Sequence, residues 1–522
     1  MTSEAPHPSR GRRIVFRLAA VVLVPMLVLA GVEGLLRVAG VGQPTGALLR
    51  SEVDGEQVWI ANPWATTVWF GPVAAREATP FAVPVERSAR SVRVLVVGGS
   101  AVQGDPDPSY SPSRILDRML RAVLPDRDVE VVNLGMTAIN SWVIRDLVRD
   151  AVPRLRPDMT VVLMGNNEVV GPYGPATERG PLADHPGLVQ LRQRLARLRM
   201  VQFAARAVRA VATPAGSEAA EWLGMESLLD REIAADAPEL ERTYEAFRSN
   251  LEAIVDAATT GEGEALLATV PVNLKDCAPF ASRHRPDLGE RDRHSWQRAF
   301  ERGVRAADEG RPDDAVAAWA EAATIDDRHA ELMYRLAVTH GELGRQSAVG
   351  YYHLARDLDA LRFRADSRIN HIIREVAAER AAAGVRMVDL AGAFAAASDG
   401  GVPGDELFYE HVHFTFSGAY LVARELLAPL LEAVGAAGAA NLEAVPEPRR
   451  VMEQLAFTPW DRFRVGIELA ERLRRPPFSG QLDNAKDLET LERWMRGLRE
   501  LLGREGLDSS VETYRGQLAA FP

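Results

Sequence analysis

The longest apolar stretch comes first. Leu18 to Val32 carries no charge and follows Arg10, Arg12, Arg13 and Arg17. Ile14, Val15 and Phe16 extend the run outward if Arg17 snorkels, which is enough for one membrane-spanning anchor at 14–36 behind a cytoplasmic tail at 1–13. Clustered arginines stay on the cytoplasmic side, so everything after Glu33 is expected outside. The rival is a cleaved secretory signal, because Val28 and Ala30 supply the small residues that cleavage after Ala30 requires. The pattern resumes at Gly34-Leu35-Leu36, which favours an uncleaved anchor, and no cysteine follows that could carry a lipid.

A second pattern starts near residue 92. Val94-Leu95-Val96-Val97 is a short continuous apolar run ending in Gly98-Gly99, as a strand buried on both faces reads. Val129 to Leu134, Met159 to Met164, Ala265 to Val272 and Val385 to Leu390 repeat it, with helical periodicity at Ser113 to Leu124 and Ile139 to Val152. Buried strands alternating with helices predict a parallel α/β sheet with helices on both faces. Ligands then bind beyond the carboxyl ends of the strands. The unusual residues fall there: Gly98 to Gly104, Gly135 to Asn140, and Gly165 to Glu168.

The sheet-forming stretches, at 92–175, 263–292 and 383–436, are interrupted twice. Residues 176–262 read as a charged helical insertion. Within 293–382, Gly310-Arg311 recurs as Gly344-Arg345, and Ala315, Trp319, Ala322 and Asp326 recur as Ala348, Tyr352, Ala355 and Asp359. That spacing is the tetratricopeptide period, and two such units need the main domain to lean on. An ordinary pair of helical hairpins is the plainer reading. Residues 37–91, with Trp59, Trp64 and Trp69, are expected as a linker packed on the first domain or held at the membrane interface. A helical region at 437–522 closes the chain and presents no residue expected to do chemistry.

Composition narrows the functional classes. The net charge of -11 gives no basic face for a polyanion, so no nucleic-acid partner is expected. The single cysteine, Cys277, excludes an intramolecular disulfide and a thiolate cluster. No cofactor or resident metal is expected, although His411 and His413 flanking Val412 have a spacing that a metal could use.

Three segments carry the candidate chemistry. Gly98-Gly99-Ser100-Ala101-Val102-Gln103-Gly104-Asp105 places a serine at the exit of a buried strand. A phosphate loop would need lysine where Asp105 stands, and the α/β-hydrolase elbow would need glycine at Val102. Either a structural turn or an exposed nucleophile fits what remains. Asn167, in Gly165-Asn166-Asn167-Glu168, either closes a turn or donates an amide N–H to an oxyanion. His413, ahead of a helix and three residues after Glu410, suits a general base with an orienting carboxylate.

Taken in order, these blocks resemble the SGNH/GDSL hydrolases. The first is Gly99-Ser100 with Gly104, the second Val131-Val132-Asn133-Leu134-Gly135, the third Gly165-x-Asn167, and the last Glu410-x-x-His413 with Gly418. Gly165-Asn166-Asn167-Glu168-Val169-Val170-Gly171-Pro172, together with an inserted repeat, is similar to bacterial membrane-anchored SGNH proteins that contain tetratricopeptide repeats. The resemblance implies a flavodoxin-like parallel sheet, Ser100 as nucleophile and His413 as its base. Oxyanion donors would be Asn167 and the backbone N–H groups of Ser100 and Ala138. Two positions depart from the family: Ala138 stands where it has glycine, and Glu410 where it usually has aspartate. The acid role therefore falls to Glu410 or has moved to Asp405.

The expected activity is that of an extracytoplasmic serine esterase. It would act on acyl esters, O-acetyl above all, of envelope glycans or lipids, from a single-pass anchor in a bacterial inner membrane with the body in the periplasm or outside the cell. Acyl transfer through the same acyl-enzyme is one alternative. A non-catalytic scaffold that binds a protein partner through the tetratricopeptide-like helices is the other.

Overall fold

The computed structural model describes residues 10–177, 185–212, 224–438 and 440–520. Part of the expected cytoplasmic tail (1–9), two stretches of the first insertion (178–184 and 213–223), and residues 439, 521 and 522 lie outside the described residues.

The chain begins as a helix, Arg10–Val38, which contains the segment expected as an anchor. Its Val21–Val38 portion is long and apolar enough to cross a membrane, and none of it is buried against the protein.

Residues 37–91 are more than a linker. They form an antiparallel sheet of β1 (Leu48–Val53), β2 (Glu56–Ala61) and β3 (Ala82–Pro84), in that order. Asp54 and Gly55 turn the β1–β2 hairpin with φ of 52° and 82°, the backbone that an Asp-Gly pair adopts most readily. Trp59 and Trp69 pack partly buried against the core, and Trp69 meets the ring of Tyr173 edge-on at 5.9 Å. Trp64 stays more open.

The main sheet contains β4 (Ser91–Gly98), β5 (Asp128–Asn133), β6 (Met159–Leu163), β7 (Glu264–Ala268) and β8 (Val385–Val388). All neighbours are parallel, in the order β5-β4-β6-β7-β8. This is the doubly wound 2-1-3-4-5 order, which switches direction beside its first strand. Every residue of β4 is buried, as a strand covered on both faces must be. Helices Pro112–Val123 and Phe416–Ala433 pack together, and Ser141–Leu155, Pro238–Ala258 and Ser367–Glu379 form another packed group. Arg93 sits fully buried in β4. It pairs with Glu130 and donates to the carbonyls of Leu155 and Pro84, at 2.8 Å each, which ties the small sheet to the large one.

The second insertion contains two helical hairpins, Glu290–Asp308 with Pro312–Ile325 and Ala330–Glu342 with Ser347–Leu358. Ala315, Trp319 and Ala322 in one hairpin and Ala348, Tyr352 and Ala355 in the other are buried. Trp319 lies so close to Gly303 that a Cβ there would come within 2.2 Å of the indole Nε1. The final region is helical, with Pro448–Gln454, Pro459–Leu473, Asn484–Leu501 and Arg504–Ala520.

Candidate active site

Ser100 follows the carboxyl end of β4, at the switch point of the sheet, and opens a single helical turn, Ser100–Gln103. Two glycines make this possible. A Cβ on Gly98 would meet the Leu163 carbonyl at 2.2 Å, and one on Gly99 would meet Asn167 Nδ2 at 3.0 Å. Side chains at these positions would push the serine away from the sheet edge and from Asn167.

His413 arrives from the other end of the chain. Its carbonyl accepts the Tyr409 N–H at 2.8 Å, which closes a tight loop. Thr415 then caps the helix Phe416–Ala433 through the Gly418 N–H. Gly418 has no room for a side chain, since a Cβ would lie 2.2 Å from the Leu407 carbonyl.

The two segments meet. His413 Nε2 lies 2.7 Å from Ser100 Oγ, and His413 Nδ1 faces the Glu410 carboxylate. The other oxygen of Glu410 faces His411 Nδ1 and accepts the His411 N–H at 2.6 Å. His411 thus holds one oxygen of the buried carboxylate, which leaves the other turned toward His413 and Arg472. Asp405 is elsewhere: Asn273 donates to it at 3.0 Å, and its own N–H goes to Asp276. Glu410, His411 and His413 also bring ligand atoms within 4.8 Å of one another. A cation there would compete for the lone pair of Nδ1 and for the carboxylate that orients it.

Asn167 and Ala138 line the same cleft as Ser100 and His413, a cavity of about 900 Å³. Asn167 Nδ2 donates to the Ile139 carbonyl at 2.9 Å, which fixes the amide plane. Ala138 has φ 61°, the left-handed conformation that an L residue adopts at a cost and a glycine without one. Gly135 has a packing role, since a Cβ there would meet the Gln103 N at 2.6 Å. Asn166 faces away from the cleft and accepts the Ala365 N–H at 2.9 Å.

The structure adds three residues to the expected set. Asp105 Oδ2 lies 3.8 Å from His413 Nε2. Arg472, from helix Pro459–Leu473, donates to Asp105 at 2.6 Å, and its Nη1 lies 3.0 Å from His413 Nδ1 and 3.4 Å from Glu410. The C-terminal region, where the sequence presents no residue expected to do chemistry, supplies Arg472 to this cleft. Together with Phe478 and Arg475 it walls the cleft. Glu168, fully buried behind Asn167, accepts the Ser141 N–H at 2.9 Å and lies 2.7 Å from its hydroxyl. Asp105 and Glu168 belong to motifs visible in the sequence. Arg472 sits in an Arg/Glu-rich stretch that looks like any solvated helix face.

Burial and neighbouring charge set the protonation states. Burial pushes His413 down to about 4, with the Arg472 guanidinium pushing the same way and Asp105 pulling against it. The imidazole is therefore neutral at physiological pH, as a proton acceptor must be. His411 lies well below its usual value, chiefly through burial, with His413 and Arg472 pushing the same way. Burial opposes charge on Asp105, yet His413 and Arg472 hold its carboxyl below the ordinary range. Burial drives Glu168 up to about 7, against its two bonds from Ser141.

No family model matches the sequence, and no curated protein matches it. Solved structures similar to the chain include an α/β-hydrolase enzyme from the metagenome of Lake Arreo, Spain, at 13% identity, covering 66% of this chain and 96% of that one, with a TM-score of 0.28. A lipase/acylhydrolase from Enterococcus faecalis is 13% identical, covering 67% and 97%, with a TM-score of 0.29. A catalytic mutant of an acetylxylan esterase from Geobacillus stearothermophilus is 12% identical, covering 67% and 96%, with a TM-score of 0.29. With its parallel 2-1-3-4-5 sheet, serine after the first of these strands and histidine before the last helix of the sheet domain, the chain has a doubly wound α/β fold with both residues at the ligand edge of the sheet.

Proposed function

We propose that the chain is a serine esterase tethered to the outer side of a membrane, cleaving acyl esters through an acyl-enzyme. The observation that carries the reading is the 2.7 Å approach of His413 Nε2 to Ser100 Oγ, with Glu410 behind the ring. Nδ1–H donates to Glu410, which leaves the Nε2 lone pair free to take the serine proton. The serine oxygen then attacks the acyl carbon. The carbonyl oxygen becomes an oxyanion, stabilised by Asn167 Nδ2–H and the backbone N–H groups of Ser100 and Ala138. On collapse, the imidazolium passes its proton to the departing alkoxide. Water, deprotonated by the same nitrogen, releases the acid. Asp105 faces the imidazolium and favours its formation.

The substrate class we propose is O-acetylated envelope glycan or lipid. The cleft, at about 900 Å³, is far larger than an acetyl group needs and leaves room for the alcohol part of the ester. The same room admits a sugar hydroxyl in place of water, so acyl transfer is the second reading. Turnover of short acyl esters and covalent labelling by a fluorophosphonate test the proposal. Both should vanish in Ser100→Ala. Retained turnover in that variant would sink it. Acetate released against acetyl transferred to an added glycan separates the two readings.

A further inference from the structure

Helices Pro186–Ala196 and Arg199–Ala212 of the first insertion have no place in the site. Their sequence is unusual for this chain. From 186 to 212 there are arginines at 192, 194, 197, 199, 206 and 209 and no acidic residue, although the whole chain carries a net charge of -11. The first helix packs on the body through Val189 and Gln193, whose amide meets the Tyr173 hydroxyl at 3.0 Å, and through the Arg197–Asp146 pair. On its opposite face Leu188, Leu191 and Leu195 are 46, 51 and 45% exposed, at the three- and four-residue spacing of a helical stripe. On the second helix Phe203 and Val208 are 54 and 65% exposed.

The second helix starts at the foot of the apolar N-terminal helix. Glu33 accepts the N–H groups of Arg199 and Met200 at 3.0 and 3.1 Å, and Gln202 accepts the Gln43 N–H at 2.8 Å. Glu33 lies five residues before the end of the Val21–Val38 span, about 8 Å along a helix axis. The start of the second helix is thereby held at headgroup depth if that span crosses a bilayer. Basic residues with an exposed apolar stripe, held at that depth, are what an interfacial helix requires.

We infer that residues 186–212 form a membrane-surface pair that lies on a bilayer bearing anionic phospholipid headgroups, beside the point where the N-terminal helix emerges. The inference rests on the tether proposed above and adds a second contact to it. Leucines and Phe203 enter the acyl boundary, while Arg194 and Arg206, both exposed, meet the headgroups.

The test uses the full chain in phosphatidylcholine vesicles with and without phosphatidylglycerol. Bimane on Leu191→Cys or Phe203→Cys is compared with bimane on Glu301→Cys, an exposed position in the second insertion. Cys277 is buried and does not compete for label. A cooperative melt in each variant certifies the fold. Brominated acyl chains should quench positions 191 and 203 at least about threefold more than 301, more so with phosphatidylglycerol. Arg194→Glu with Arg206→Glu should remove that lipid dependence. Co-flotation with quenching equal at all three positions overturns the surface and leaves the tether standing. Failure to co-float with either vesicle removes both.

Discussion

Arg472 Nη2 and Asp105 Oδ1 are 2.6 Å apart across 367 residues of chain. This bond joins the C-terminal helices to the rim that holds the serine, and the same guanidinium reaches His413 and Glu410. Arg472→Ala should lower kcat on short esters by about 10- to 100-fold, since Asp105 is left buried without its partner (roughly 1.4–2.7 kcal/mol). The pH profile distinguishes a charge role from a packing role. Burial holds His413 at about 4, and Arg472 pushes in the same direction. The acid limb of kcat/KM should therefore lie near pH 4 and move upward in Arg472→Ala. Asp105→Asn should move it downward, because Asp105 favours the protonated ring. A limb that stays in place in both variants would refute the charge role.

Glu410 and Asp405 make opposite predictions. Glu410 faces His413 Nδ1, while Asp405 is held by Asn273 and driven up to about 7, by burial first and then by Asp276. Glu410→Gln should keep the packing but lose the tautomer, cutting kcat by on the order of 10³–10⁴-fold. Asp405→Asn replaces an acid already inclined to be neutral and should stay within about twofold. Steady-state assays of both variants on one ester decide between them. Equal losses would mean that the carboxylates share the role.

The parallel sheet was readable because β4 and β6 are buried throughout, β4 ending in Gly98 and β6 followed closely by Gly165, so that pattern alone marks them. Strand ends then place Ser100 and Asn167 on one edge, while His413 reaches it from the loop ahead of helix Phe416–Ala433. The small sheet was not readable as such. Its strands are short and partly exposed, and Asp54-Gly55 is the one local sign of a hairpin in a stretch punctuated by tryptophans and prolines. Glu410 and Asp405 could not be separated along the chain, because both precede His413 closely and only the loop geometry decides which one faces it. Arg472 left no trace: its neighbours Glu471, Arg474 and Arg475 look like a solvated surface, and its role arises where a distant helix docks.

Ala138 makes a prediction about stability. Its φ of 61° strains an L residue, and the oxyanion donor proposed for it is a backbone N–H that needs no side chain. Ala138→Gly should stabilise the protein by about 0.5–1 kcal/mol, the relief of strain less the entropy that glycine adds to the unfolded chain. Turnover should survive. Ala138→Val should destabilise by more than that. A denaturation midpoint that does not rise in the glycine variant would show that the surrounding loop has already absorbed the strain.

Glu168 predicts how stability changes with pH. The carboxyl is fully buried and pushed up to about 7 from an ordinary value of 4.5. Between those values the folded protein keeps a proton that the unfolded chain has released. The stability this group contributes is therefore complete below pH 4.5 and lost as pH rises through 7, a total of about 3 kcal/mol. His413 works in the other direction, being lowered to about 4, and its contribution is lost as pH falls. The informative quantity is accordingly the difference between the wild-type protein and Glu168→Gln. Glutamine mimics the protonated acid, accepting from the Ser141 N–H and donating to its hydroxyl. The variant should be close to wild type at pH 5 and gain on it steadily to pH 8, measured by chemical denaturation followed through tryptophan fluorescence. A constant difference across that range would mean that Glu168 is ionised in the folded protein, and that the loop carrying Asn167 is held by a buried charge instead of a neutral hydrogen bond.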